Sequence, residues 1–409
     1  MQIMLTFANM TIPRNILLLY AARGVRGFGD GFATIALPAY LIAIGYDPVR
    51  IGLVVAASLL GTAVLTLVIG TIASRYDLRT LMLLGAGLMI LTGLAFPNFR
   101  NIAVIAFIGF VGSINPSAGD LGVLVPLEQA VLAGNVSNEE RTSAFARYSL
   151  TGALLTALGT LAAAVPDFLQ RAGFGALAAL SVMFYAYAAL GLVCALLYWM
   201  LPHAHMTQTA PSAPLGQSRG IVFKLAALFS LDSFAGGFIV QSLLALWLFE
   251  RFHLSLSAAS VFFFCASLLS ALSFPVAAWL SRRIGLVNTM VFTHVPSNLF
   301  LILAAFSSSL EATLALLLLR SALSQMDVPT RTSYIMAVVT PAERAAAASV
   351  TAVPRSLASA VSPTFAGALF AGPFSALPLL LCGTLKLIYD AALLYSFRHL
   401  KAPEEARPQ

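Results

Sequence analysis

The sequence predicts an all-α membrane protein of twelve transmembrane helices in two pseudo-symmetric six-helix halves, and three observations predict it. The 409 residues are 59% hydrophobic and 10% charged, with a mean hydropathy of +0.91, whereas ordinary soluble domains carry about 25% charged residues. Apolar runs long enough to cross a bilayer, which takes roughly 20 residues as a helix, recur twelve times between polar breaks. The second half also repeats landmarks of the first. Ser74 and Arg75 after the second run return as Ser281 and Arg282 after the eighth, and PLEQAVLAGNVSNEER from Pro126 to Arg141 matches PTRTSYIMAVVTPAER from Pro329 to Arg344 in its spacing of Pro, Glu and Arg.

In chain order the spans are predicted at 16–44, 51–74, 80–97, 102–132, 143–165 and 174–201, then at 222–250, 257–280, 288–306, 312–339, 346–370 and 377–397. With a cytoplasmic N-terminus, twelve Lys and Arg residues, among them Arg14, Arg75, Arg79, Arg282, Arg283 and Arg344, fall in inside segments. Only Arg50, Arg100, Arg171 and Arg251 fall outside. This asymmetry sets both termini in the cytoplasm. The longest polar gap, PHAHMTQTAPSAPLGQSRG from Pro202 to Gly220, has linker composition. It divides the chain into a six-helix half at 1–201, a cytoplasmic linker at 202–221 and a second half at 222–409 with a short cytoplasmic tail. The first span runs through Arg26 and Asp30 with no short apolar region and cleavage site, so no cleavable signal is expected.

The first span carries the most informative stretch, RGVRGFGDGFATIALP from Arg23 to Pro38. A charge at mid-membrane costs at least about 2.5 kcal/mol on insertion scales, so such residues face a bundle interior or a wet cavity. Arg26 and Asp30 stand one turn apart and are expected to pair along the helix. Gly24, Gly27, Gly29, Gly31 and Ala33 should let a neighbouring helix approach closely.

Between spans 2 and 3 the chain reads GTIASRYDLR, Gly70 to Arg79, which resembles the G-x-L-A-D-R-F-G-R-R loop motif of the major facilitator superfamily. Gly70, Ala73, Arg75 and Arg79 fit the motif. Ser74 replaces its acidic residue, Asp77 its glycine and Leu78 a basic residue. GDGFATIALPAYLIAIG from Gly29 to Gly45 is similar to the first-helix signature of the family's twelve-helix drug and proton antiporter branch. Span 5 departs from that branch, having Gly152 and Gly159 without a Gly-Pro pair. The resemblance implies the major facilitator fold, a gating role for Gly70, Arg75, Asp77 and Arg79, and secondary transport. Pro354 and Pro363 in span 11 read as a hinge or kink.

Further intramembrane charges are Asp120 and Glu128 in span 4, Arg147 in span 5, Asp232 in span 7, Arg320, Asp327 and Arg331 in span 10, Arg355 in span 11, and Lys386 with Asp390 in span 12. Asp327 with Arg331 and Lys386 with Asp390 repeat the one-turn spacing, so pairing within each helix is expected. Asn115-Pro116 before Asp120, and Gln325 beside Asp327, mark polar breaks at equivalent places of the two halves, where freed backbone groups lie beside protein or water. A poorly solvated carboxylate titrates near neutrality unless a cation holds it ionised. Asp120, Asp30 and Asp327 are therefore the candidate proton carriers. Asp120 comes first because no basic residue stands at helical pairing distance from it. Arg26, Asn115, Gln325, Arg320, Arg331, Arg355 and Lys386 are candidates to line the substrate cavity.

The expected function is secondary active transport of a small organic molecule by alternating access, as proton-coupled efflux. Import of an anionic metabolite with protons is the alternative, because Arg320, Arg331, Arg355 and Lys386 could clamp a carboxylate or phosphate. No nucleophile and base pair for an enzyme and no cofactor motif stands out. The net charge of +7 is scattered singly, which excludes a nucleic-acid stripe. Cys194, Cys265 and Cys382 lie in apolar runs without ligand spacing, so neither metal nor disulfide is expected. The expected partners are the lipid bilayer, a small-molecule substrate and protons, for a monomer in a bacterial inner membrane.

Overall fold

The computed structural model describes residues 13–73, 75–117, 122–204, 215–340 and 343–397, without the side chains of 138–142 and 345. These residues form helices joined by short turns. The first half contains α1 (Arg14–Ala43), α2 (Pro48–Ile72), α3 (Leu78–Ala95, prolonged by a 3-10 turn at Phe96–Asn98), α4 (Ile102–Val111), α5 (Leu124–Gly134), α6 (Asn138–Ala162), α7 (Val165–Arg171) and α8 (Ala176–Trp199). The second contains α9 (Arg219–Gly237), α10 (Gln241–Phe252), α11 (Leu256–Ile284), α12 (Leu286–Phe306), α13 (Leu310–Ser324), α14 (Asp327–Val338), α15 (Arg344–Phe370) and α16 (Leu377–Phe397). Eight of the described helical segments are long and apolar enough to span a membrane. The broken pairs α4/α5 and α13/α14, with the long and more polar α1 and α15, fill the remaining four of twelve places.

Local sequence explains where helices start and break. Asp47, Asp77, Asn101, Ser255 and Ser309 accept a backbone N–H in the first turn of α2, α3, α4, α11 and α13, as short polar side chains do at helix N-termini. In span 4 a helix ends at Val111 and another begins at Leu124, with the described residues between them, Asn115 and Pro116 included, outside any helix, and span 10 breaks at Gln325 and Met326. α15 passes through Pro354 and Pro363 as one helix. Span 7 is also interrupted, at Phe238 to Val240, with no proline to announce it. The break follows Gly236-Gly237, and just beyond it Ser242 N–H and Oγ both donate to the Pro116 carbonyl of the other half, at 3.1 and 3.0 Å. A carbonyl freed at membrane depth thus finds donors in the opposite half.

Packing follows the predicted twofold relation. The contact of α1 with α6 is matched by α9 with α15, that of α3 with α8 by α12 with α16, and across the halves that of α2 with α15 by α11 with α6. Gly24, Gly27 and Gly31 of α1 face α6, whereas Gly29 faces Met89 of α3 and Tyr187 of α8. A Cβ on Gly27 would lie 2.8 Å from the Gly152 carbonyl, a Cβ on Gly31 would run into the Thr156 carbonyl, and one on Gly159 into the Phe28 carbonyl. Such close backbone approach is the usual way helices pack where lipid removes any hydrophobic drive.

The cores divide by level. One apolar core joins both halves at the ends remote from the linker, with Leu37, Tyr40, Ile51 and Val54 meeting Leu243, Trp247, Phe263 and Phe370. At the linker end the cores are separate: Leu19, Met82, Leu132 and Tyr148 belong to the first half, and Phe229, Met290, Tyr334 and Leu393 to the second. Apolar contact between halves is thus concentrated at the end away from the linker. Gly159→Leu is expected to force α1 and α6 apart at a cost of about 1–3 kcal/mol, the usual range for overpacking. Thermal unfolding in detergent would show the loss, and an unchanged midpoint would mean that the two helices do not meet at this glycine.

Candidate functional site

Charge inside each half is neutralised chiefly between helices. Arg26 in α1 forms an ion pair with Glu128 in α5, and both are buried. Tyr198 in α8 donates to Glu128 Oε1 at 2.5 Å, and Tyr148 in α6 donates to Oε2. One carboxylate thereby gathers a guanidinium and two phenols from three other helices. Arg23 lies over the Tyr148 ring, 5.6 Å from its centroid. The expected pairing of Arg26 with Asp30 is not formed. Glu128 offers Arg26 a fully buried partner whose remaining lone pairs are already satisfied, the condition under which a buried pair is tolerated.

Asp30 is left facing Tyr187, whose hydroxyl lies 3.4 Å from Oδ1 and 3.1 Å from the Ser113 carbonyl. Its single proton serves one acceptor at a time. Asp30 and Arg26, with Gly112, Ser113, Gly122 and Tyr187, line a narrow slot of about 20 Å³ beside the break in span 4, room for about one water. Asn115 is buried at that break, where its Oδ1 accepts the Ser117 N–H. Asp120 lies outside the described residues.

The second half repeats the arrangement with the charges exchanged. Glu128 follows Pro126 by two residues and Arg331 follows Pro329 by two. Arg331 in α14 pairs with Asp232 in α9 at 3.0 Å and with Asp327 one turn before it. Lys386 in α16 reaches Asp232 Oδ1 at 2.5 Å and not Asp390. Asp390 is taken instead by α12, accepting from His294 Nδ1 at 2.9 Å and Asn298 Nδ2 at 3.0 Å. Asp327 is thus ion-paired, as its spacing from Arg331 predicts, whereas the Lys386–Asp390 pair is replaced by cross-helix partners. Arg355 in α15 donates from Nε to Ser233 Oγ at 3.2 Å. The buried Arg320 Nε has no hydrogen-bond partner among the described residues, and Gln325 is exposed at the break in span 10.

The Gly70 to Arg79 loop behaves differently from its motif. A Cβ on Gly70 would meet open space, so Gly70 supports no close helix contact here. Arg75 is exposed, and Ser74 lies outside the described residues. Asp77 is the organising residue. It caps α3 through Thr80 and accepts the Ala204 N–H at 2.8 Å, with His203 Nδ1 at 3.0 Å. Arg79 lies over Trp199, 4.8 Å from the ring centroid. Burial pushes the Asp77 carboxyl up, but hydrogen bonds from Ala204, His203 and Thr80 prevail and hold it at about 2. Glu343 does the same at the other end of the linker, accepting Gly216 N–H at 2.5 Å and Ser218 N–H at 3.2 Å. Hydrogen bonds from Ser218 and Gly216 hold its carboxyl below the usual range.

Residues 19–294 and 225–409 match the profile of the Major Facilitator Superfamily. The chain belongs to the Major Facilitator Superfamily. It is 24% identical over 421 aligned residues, 94% of each chain, to an uncharacterised membrane protein of Saccharomyces cerevisiae. Among solved structures it is similar to the nucleoside transporter NupG (TM-score 0.73, 14% identity, 94% of this chain and 99% of that one). It is also similar to the xylose transporter XylE from E. coli (0.72, 14%, 97% and 100%) and to the human organic anion transporter MFSD10 (0.62, 18%, 93% and 99%). At these identities the likeness is one of fold. This superfamily member is an integral multi-pass membrane protein and a secondary transporter, not an enzyme.

Two outcomes follow for the charged residues. Glu128→Ala would leave Arg26 buried without its carboxylate, at an expected cost of about 3–5 kcal/mol, the penalty for breaking a buried pair. The double variant Arg26→Ala/Glu128→Ala should lose less than the sum of the single losses, and thermal unfolding of all three proteins in detergent measures the difference. Asp77→Ala should cost about 1 kcal/mol through loss of the α3 cap. Because the folded carboxyl lies below its unfolded value near about 4, its contribution is full above that value and lost as pH falls through about 2. Stability of the wild type and Asp77→Ala against pH should therefore converge only in strong acid.

Proposed function

We propose that this transporter moves a small organic molecule by alternating access driven by protons, with efflux as its direction, in a bacterial inner membrane with both termini in the cytoplasm. The halves proposed to rock are 1–201 and 222–409, in a monomer. The observation that carries proton coupling is Asp30, a buried carboxylate on the wall of the slot whose neighbouring cation, Arg26, is committed to Glu128. A carboxylate so placed can exchange a proton with the slot without dismantling an ion pair. Asp327 is less suited, since its oxygen is held by Arg331. The antiport direction draws on the first-helix likeness from Gly29 to Gly45.

Proton-coupled import of an anionic metabolite is the second reading, and a specific observation favours it. Arg320 and Arg355 have no carboxylate partner among the described residues, and guanidinium groups at membrane depth suit a carboxylate or phosphate.

The test uses proteoliposomes with an imposed pH gradient and a panel of labelled organic compounds. Asp30→Asn is expected to keep substrate counterflow while losing pH-driven accumulation, because the amide preserves shape but does not titrate. Accumulation intact in Asp30→Asn but lost in Asp120→Asn would transfer the role to Asp120. A wild-type protein indifferent to the pH gradient would remove proton coupling altogether.

A further inference from the structure

His294 is a buried imidazole in α12, 2% exposed, at the meeting point of three helices. Its Nδ1 lies 2.9 Å from Asp390 Oδ1 in α16, and its Nε2 lies 3.9 Å from Asp232 Oδ1 in α9. The first distance is a hydrogen bond and the second is not. A carboxylate on the Nδ1 side fixes the neutral ring with its proton on Nδ1. The unprotonated Nε2 then lies 3.9 Å from a carboxylate oxygen, and a proton on Nε2 would make that approach an attraction.

The same Asp232 oxygen holds Lys386 Nζ at 2.5 Å. Two cations would therefore address one oxygen once His294 is charged. The directly bonded cluster comprises Asp232, Asp327 and Asp390 against Arg331 and Lys386; with His294 neutral it sums to one negative charge, and exchanging the Lys386 ammonium for an imidazolium leaves that sum unchanged. The neighbouring elements of this half carry the other ionisable groups. Helix α16 adds Tyr389, whose ring lies 6.0 Å from the imidazole. Helix α13 adds Arg320, whose backbone carbonyl accepts from Ser297 at 3.4 Å. Helix α11 carries Cys265, with Arg282 and Arg283 in its last turn, and Arg355 approaches α9 at Ser233. The Tyr389 hydroxyl and Asn298 Oδ1 are buried without a hydrogen-bond partner among the described residues, so polar capacity remains beside the ring.

We propose that His294 binds a proton at Nε2 and, in doing so, displaces Lys386 from Asp232, so that a proton is exchanged for a freed ammonium group inside the second half. One proton is added to Nε2, no covalent bond breaks, and the Asp232 ion pair passes from Lys386 to the imidazolium. The freed ammonium is then available to an anionic group in the cavity. This rests on the proton-coupled reading, but its test does not require transport.

The wild-type protein in nanodiscs, labelled with 15N in its histidine rings, presents five imidazoles. One Nε2 resonance is expected to titrate reversibly, to vanish in His294→Gln, and to titrate at a higher pH in Lys386→Met. The expected displacement is about one unit, a tenfold gain in proton affinity, because the competing cation is gone. A resonance assigned to His294 that stays constant while the protein remains folded would overturn the proposal, and so would a midpoint unmoved in Lys386→Met. If His294→Gln fails to fold, Asn298→Ala provides the assignment by shifting that resonance. Titration of His294 in a protein that shows no pH-driven transport would leave the site standing and remove proton coupling instead.

Discussion

Charge in a low-dielectric interior has to be answered by opposite charge and by hydrogen bonds, and this requirement shapes the molecule more than any other. Leaving one member of a buried pair alone costs several kcal/mol. Each half answers internally. Arg26, Glu128, Tyr148 and Tyr198 bind four helices of the first half. Asp232, Arg331, Lys386, His294 and Asp390 do the same for α9, α12, α14 and α16 of the second. Between halves no ion pair is formed among the described residues: the contacts are close backbone approach, as where Gly52 meets the Pro363 carbonyl and Gly367, apolar side chains at one end and a few hydrogen bonds. Strong electrostatic bonds within halves and weaker contacts between them are what two rigid bodies require if they are to shift against each other.

Much of this fold is legible in the sequence because its determinants are local. Hydropathy fixes the spans, the Asn115-Pro116 run marks the break in span 4, and Gly24, Gly27 and Gly31 of α1 declare a face for α6. The pairing of charges is not legible, and the reason is geometric. A one-turn spacing makes an ion pair possible within a helix, yet Arg26 and Lys386 both leave the neighbour at that spacing for a carboxylate on another helix. Asp327 and Arg331 keep theirs. Nothing in the spacing distinguishes the three cases, since the choice depends on which cross-helix partner has its other lone pairs satisfied. His294, one imidazole in an apolar run, carries no local sign of the carboxylates flanking it. The bonds from Ser242, beside the break in span 7, reach Pro116, far away in the sequence. The exchange of Glu128 for Arg331 at equivalent positions becomes meaningful only once Arg26 and Asp232 are seen opposite them.

The end away from the linker holds the halves together through a few specific contacts as well. Asp167 in α7 accepts the Ser257 N–H at 2.8 Å and its hydroxyl at 2.6 Å, so a carboxylate of the first half sits on the N-terminus of α11 in the second. Negative charge is favoured there by the helix dipole and the free N–H groups. The Ser242 bonds to Pro116 act at another crossing of the same interface. Both sets of bonds would have to break if the molecule opened at this end, and neither participates in the charged clusters within the halves.

Alternating access requires that opening, so the most direct measurement is transport through a protein locked across Asp167 and Ser257. Cysteines at both positions, with Cys265 replaced by serine, would be oxidised in proteoliposomes, and the flux of labelled substrate measured before and after reduction. Rocking halves predict that flux stops in the oxidised protein and returns with reductant. Undiminished flux while the disulfide is intact would contradict the account, because substrate would then be crossing without separation of the halves at that end.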